Sequence, residues 1–160
     1  MLKHFIAICF LSLSCFSQTR IAVMPLDNMD GKLDKNVWCY NMQDTLYKEL
    51  LKADPEHKFY IVVPPDSIED ELAKLNLDPA NPQYKSDVWK ALANLKIKKV
   101  VLGNFNLKGE KFLMNFYIYD VKMKLADPTN QIRDLFKDEK DLYLTVPEIM
   151  NAILPGFIKK

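Results

Sequence analysis

Histidine, cysteine and glycine are too scarce in this sequence to build the commonest catalytic and metal sites. The chain of 160 residues has 2 histidines, 3 cysteines and 4 glycines. His4, Cys9 and Cys15 fall within residues 1–17, which leaves His57 and Cys39 for the rest. A zinc centre usually takes three or four nitrogen, sulfur or oxygen ligands, so this pair builds none. If residues 1–17 are cleaved off, Cys39 is left alone and forms no intrachain disulfide, and stability must come from packing. Phosphate loops need clustered glycines so that backbone amides reach the anion; no such cluster or dinucleotide fingerprint is present. Gly-x-Ser-x-Gly and His-Glu-x-x-His are missing too. Runs such as Glu69-Asp70-Glu71 and Asp138-Glu139 are consecutive, so on a helix they diverge and do not make a two-carboxylate site. The residues therefore predict no enzyme and no cofactor.

Charge of one sign is missing as well. Lys and Arg number 22 against 21 Asp and Glu, and Lys3 is the one strong base before Gln18. The remainder is balanced, whereas nucleic-acid binding calls for an excess of cations to neutralise phosphates. No apolar run is long enough for a membrane helix, which takes ~20 residues. The run Phe5 to Leu13 follows Lys3 and His4 and precedes small residues, the layout of a secretory signal peptide. The expected domains are a signal peptide over 1–17 and one α/β domain over 18–160. Cleavage before Gln18 is one outcome. Cleavage before Cys15 would create a lipidation site and hold the protein to a membrane without spanning it.

What remains is strongly patterned. Ile21 to Leu26 is a continuous apolar run ended by a proline, and reads as a buried strand. Trp38, Met42, Leu46 and Leu50 recur at helical spacing and predict an amphipathic helix over Asn36 to Ala53, with Gln43 off the stripe. Lys58 to Pro64 is rich in β-branched and aromatic residues and predicts a second strand. Asp66 with Glu69, Ser86, and Thr145 with Glu148 are read as the starts of three later helices. Ile68, Leu72 and Leu75 are the buried stripe expected of the first, Trp89, Leu92 and Leu95 of the second, and Pro155-Gly156 the stop of the third. Lys98 to Leu107 and Lys111 to Val121 flank "KGE" and predict an antiparallel hairpin. Gln131 to Asp138 is a weaker edge strand. The fold expected is one layered α/β domain: a mixed sheet, with parallel strands and an antiparallel hairpin, packed with helices.

The loop "PLDNMDGKLDKN" has one glycine and three aspartates, so it would repel a phosphate; it lacks calcium-loop spacing too. It reads as a strand-to-helix connection. Cys39 can be paired on paper with His57, but beside a buried stripe an inert core thiol is favoured. Alternation puts Phe112, Met114, Phe116 and Ile118 on one face of the hairpin and Leu113, Tyr117 and Tyr119 on the other. The latter three, with Phe105 or Leu107 nearby, are candidate partner contacts, because aromatic residues bury much area at low entropy cost. Asp27 and Asn28 of the first loop are added to them.

Several strings in order carry a resemblance: "IAVMPLDNMDG", "MQDTLYKELLK", "KFYIVVPPDSIEDEL" and "WKALANLKIKKVVLGNFNLKGEKFLMNFYIYDVKM". Ile21 to Asn28, Leu46 with Leu50 and Leu51, Val100 to Gly103, and Tyr119 to Val121 hold the matching positions. The chain resembles the small α/β domain shared by the TolB N-terminal domain, the curli secretion protein CsgG, the flagellar lipoprotein FlgO and the penicillin-binding-protein activator LpoB. "NLKIKK" replaces the usual glycine before the third strand, and no long amphipathic stretch corresponds to CsgG's membrane hairpins. The resemblance implies a noncatalytic, exported domain, periplasmic or outer-membrane-associated, that works by contact with other envelope proteins. Two rival expectations stand beside it. One is a periplasmic ligand-binding protein or hydrolase with a pocket near Pro25 to Asn28 and Pro64 to Ser67, at the strand ends. The other is a homo-oligomeric ring.

Overall fold

A computed structural model of the protein describes residues 18–76 and 78–158. The expected leader 1–17, with Cys15, lies outside the described residues. The elements are β1 (Thr19–Val23), β2 (Asp27–Asn28), α1 (Asn36–Ala53), β3 (Tyr60–Val62), α2 (Pro65–Ala73), α3 (Tyr84–Asn94), β4 (Lys99–Lys108), β5 (Lys111–Asp120), β6 (Leu125–Asp138), α4 (Val146–Ile153) and α5 (Pro155–Ile158). Short 3-10 turns at Leu33–Lys35 and Glu139–Thr145 precede α1 and α4.

The strands form one mixed sheet in the order β3-β1-β4-β5-β6, with β2 alongside the far half of β4. β1 runs parallel to both neighbours, Ile21 facing Val62 on one side and Lys99 on the other. Such a strand has helices over both faces, so its sequence does not alternate: Ile21, Ala22 and Val23 are all buried. β4 and β5 make the expected hairpin, from Lys99 opposite Asp120 to Lys108 opposite Lys111. Gly109 takes the turn at φ +67, a conformation that costs glycine little. The mixed α/β sheet is as the patterning predicts.

Two apolar clusters fill the two sides. On one, Met42, Leu46 and Leu50 of α1 and Ile149 and Ile153 of α4 meet Phe105, Phe112, Met114, Phe116 and Ile118. On the other, Ile68 of α2 and Leu92 of α3 meet Ala22, Val63 and Val100. The second pair of helices covers the parallel half of the sheet and reaches β5 at Tyr119.

Several local expectations are corrected. Gln43 is buried, not on the solvent side, and its Nε2 donates to the carbonyl of Val23 at 2.9 Å. It thereby pins α1 to the end of β1, while Trp38 is only half-buried. Leu75 is exposed, since α2 ends at Ala73. None of the three side-chain caps forms. α2 begins at Pro65, a residue favoured in the first turn, so Asp66 lies inside the helix. α3 begins at Tyr84, which leaves Ser86 inside as well. Thr145 Oγ1 donates to Leu142 O, within the preceding 3-10 turn, instead of accepting from α4. β3 is shorter than expected, and β6 begins at Leu125 instead of Gln131. Pro128 is tolerated in β6 because it is an edge strand with irregular pairing. Pro155-Gly156 does not end the helical path but opens α5, which turns back onto the sheet.

Two features give sharp tests of packing. A Cβ on Gly156 would lie 2.5 Å from Ile118 Cδ1 and 3.0 Å from Asn130 Cβ. Ile118 is itself fully packed, so Gly156→Ala should lower stability by about 1–3 kcal/mol in urea unfolding. Asp54, just past α1, accepts from the amides of Lys58 at 2.8 Å, Phe59 at 2.8 Å and Tyr60 at 3.1 Å, which sets the entry into β3. Burial pushes its pKa up, but the three amides and the nearby His57 outweigh this and hold it below the ordinary carboxylate range. The stability it contributes is complete above the unfolded value of about 3.9 and is lost as pH falls through the lowered native pKa. Asp54→Asn should therefore be less stable than the parent at neutral pH, and the gap in urea midpoint should close on acidification through the carboxylate range.

Candidate functional site

Among the described residues, the half of the sheet formed by β5, β6 and the end of β4 is packed by helices mainly on one side. Its other side carries Leu113, Tyr117 and Tyr119, all half-buried, as alternation from the buried Phe112, Met114, Phe116 and Ile118 requires. Phe105 and Leu107 do not join them. Phe105 pairs with Met114 and Leu107 with Phe112, so both point to the core side, and Phe105 stacks on Phe112 at 5.0 Å. Neither Leu113 nor Tyr117 belongs to a buried cluster, whereas Tyr119 meets Trp89 of α3 edge-on at 5.9 Å. Tyr117 and Tyr119 are themselves edge-on at 6.3 Å.

Phe136 joins this surface, which no local pattern announces. Simple alternation from Ile132 would put Phe136 on the core side. Between the pairs Phe116–Ile132 and Met114–Leu135, however, β6 has one extra residue, a bulge that reverses the alternation. Leu135 then enters the core, and Phe136 emerges opposite Leu113, 48% exposed. Asp134 has φ +58 at this bulge, and its amide donates to Asn115 Oδ1 at 3.0 Å. Asn115 Nδ2 donates in turn to Asn104 Oδ1 at 2.9 Å, so polar side chains lock the bulge from the open face.

Asp27 and Asn28 lie elsewhere, at the end of β1. They are not a free turn but the short strand β2, paired with Asn104 and Phe105. Asn28 Nδ2 donates to Lys32 O and to Asn36 Oδ1, each at 2.8 Å, which leads the chain into α1. Beside it opens a cleft of about 410 Å³, lined among others by Pro25, Asn28, Cys39, Tyr40, Tyr84 and Trp89. β1 is flanked by strands on both sides and its crossover helices lie on opposite faces, so this is the switch-point crevice of an open α/β sheet. Asn28 Oδ1 is the one buried side-chain polar atom among the described residues without a hydrogen-bond partner. Asp27 is at the exposed rim. Of the pocket expected at two strand ends, the Pro25 to Asn28 side lines this cleft, and Pro64 to Ser67 do not.

No group of three or more His, Cys, Asp or Glu among the described residues could hold a metal ion. No helix among them is long and apolar enough to cross a membrane. Cys39 sits near the start of α1 and His57 past its end, roughly 20 Å away at 1.5 Å of rise per residue, so they form no pair.

Comparison with solved structures gives the fold a setting. The chain superposes on the LpoB C-terminal domain from Salmonella enterica with TM-score 0.54 and 13% identity, over 76% of this chain and 83% of that one. It matches lipoprotein GNA1162 from Neisseria meningitidis with TM-score 0.55 and 15% identity, over 83% of this chain and 94% of that one. The LpoB C-terminal domain from Escherichia coli gives 0.52 and 13%, over 71% and 79%. At such identities the shared property is the fold. No protein-family model matches the chain, and no curated protein matches it in sequence. The resemblance to LpoB is thus met at the level of architecture.

Burial pushes the Cys39 thiol up, and the residue is only 4% exposed although it borders the cleft. A thiolate reagent should therefore label the native protein slowly at neutral pH and rapidly once urea unfolds it, because only the thiolate attacks. Fast native labelling would revive Cys39 as a nucleophile.

Proposed function

We propose that this chain is an exported bacterial envelope domain without catalytic activity, which acts by docking onto another envelope protein. The observation that carries this reading is the open face of the β4–β6 sheet. A sheet buries both faces or presents one, and here Leu113, Tyr117 and Phe136 lie together with no helix among the described residues packed over them. Large apolar and aromatic side chains grouped in the open mark interaction sites more often than accidents of packing. The signal-like segment 1–17 and the architecture shared with two lipoproteins support an envelope setting. Lipidation at Cys15, and kinship with CsgG and FlgO, belong to this proposal. The contacts would be Leu113, Tyr117 and Tyr119, with Asp27 and Asn28 at the neighbouring sheet end.

A second reading is favoured by one observation, the unpartnered Asn28 Oδ1 beside the cleft. A buried acceptor without a donor is costly, and a bound small molecule would supply one. A metabolite that travels with the native protein and is lost on Asn28→Ala would favour it.

The docking reading is tested by placing a photoreactive residue at position 113 in living cells, with position 48 on the outer side of α1 as control. The expected result is a discrete adduct with one envelope protein from 113 and none from 48. Equal labelling from both, or none from either, overturns the reading; an adduct with a second copy points to the ring.

A further inference from the structure

The open face has an unusual electrostatic finish. Lys111 Nζ lies 5.5 Å from the ring centre of Phe136, Arg133 Cζ 5.7 Å from that of Tyr117, and Lys124 Nζ 5.9 Å from that of Trp89. Trp89 meets Tyr119 and Tyr119 meets Tyr117, so the rings form a connected row and each end of it carries a cation. A fourth stacked cation, Lys35 on Phe112, differs in kind. It is neutralised by Glu139 at 2.7 Å, and the same carboxylate accepts from Trp38 Nε1.

The cations of the open face are not neutralised so closely. Among the described residues, Arg133 and Lys124 have no carboxylate within 4.0 Å, and Lys111 has only Asp138 at 3.9 Å. Arg133 donates instead to the neutral Gln131 Oε1 at 3.0 Å. Nearby acids are occupied by their own turns. Asp127 accepts from Thr129 N, Asn130 N and Asn130 Nδ2, and Asp120 from Met123 N. A ring beneath a cation holds it in place and partly strips its water, so less is lost when it pairs with an incoming anion.

We infer that the docking partner presents an acidic protein surface, with Asp and Glu spaced among apolar residues, and that Arg133, Lys124 and Lys111 recognise it. The inference rests on the docking reading and names the partner chemistry of the same face. A phosphate-dense surface fits less well, because the three cations sit on separate rings, Phe136, Tyr117 and Trp89, with Leu113 and Tyr119 among them, and Asp134 stands beside Arg133. Spaced carboxylates with apolar residues between them match that order.

The test uses amide NMR spectra of the purified protein, titrated with a Glu-Leu repeat peptide, a Gln-Leu repeat of equal length, and phosphatidylglycerol vesicles. The Glu-Leu peptide should shift amides of β4, β5 and β6, several-fold more weakly at high salt, while the Gln-Leu peptide and the vesicles leave them unmoved. Arg133→Gln with Lys124→Gln should abolish the response without changing the melting temperature. Equal response to both peptides, an unaffected double variant, or binding of vesicles alone overturns the inference. Crosslinking separates the two levels. If position 113 captures an envelope protein equally well in the double variant, docking stands and the acidic partner falls. If position 113 captures nothing, docking itself falls.

Discussion

Strand β4 is hydrogen-bonded along both edges, and its two edges obey different rules. On one it pairs parallel with β1 through Lys99 to Val101, then with β2 through Asn104 and Phe105. On the other it pairs antiparallel with β5 from end to end. The break between the two parallel partners falls at Leu102 and Gly103, and both residues line the switch-point cleft. The continuous edge, by contrast, extends the sheet past α2 and α3, which reach β5 at Tyr119. One strand therefore creates both surfaces on which function could be built, the cleft and the open face.

Packing of the two sides follows from this arrangement. Val100 and Val101 are both buried because helices cover both faces at that level, whereas β5 alternates because, among the described residues, only one of its faces is fully packed. Gln43 and Asp54 fix the first crossover at its two ends, one by a bond to Val23 O and the other by collecting three amides ahead of β3. Both are polar groups buried with partners, which hold geometry at little net cost. The open face is specified differently. Asn104, Asn115 and the amide of Asp134 form a chain of hydrogen bonds that fixes where the bulge falls. That position decides whether Leu135 or Phe136 faces outward.

Legibility in the sequence varied with how local the cause was. α1 was read with its observed bounds because its stripe and its flanking turns agree. The hairpin was read to within a residue because alternation over ten-residue strands admits one register. The caps expected at Asp66, Ser86 and Thr145 do not form. Each residue type suits a helix start, but Pro65 opens α2, α3 begins two residues before Ser86, and a 3-10 turn takes up Thr145. The expectation for Phe105 and Leu107 names the wrong face, because the register of β4 against β5 is needed to place them. Of the candidate contacts, Leu113, Tyr117 and Tyr119 share one face, and Asp27 and Asn28 occupy the end of the sheet.

The sequence by itself determined the class of domain, the helix and strand periods, the balance of charge and the poverty of catalytic groups. These are properties of neighbouring residues and composition, and they need no knowledge of what meets what. Only the tertiary structure decided that Phe136, Arg133 and Trp89 lie on one surface with Tyr117, and that Asn28 borders a cleft with Tyr84. These residues come from separate elements, and a one-residue bulge or the end of a neighbouring strand sets their direction. No local pattern records either.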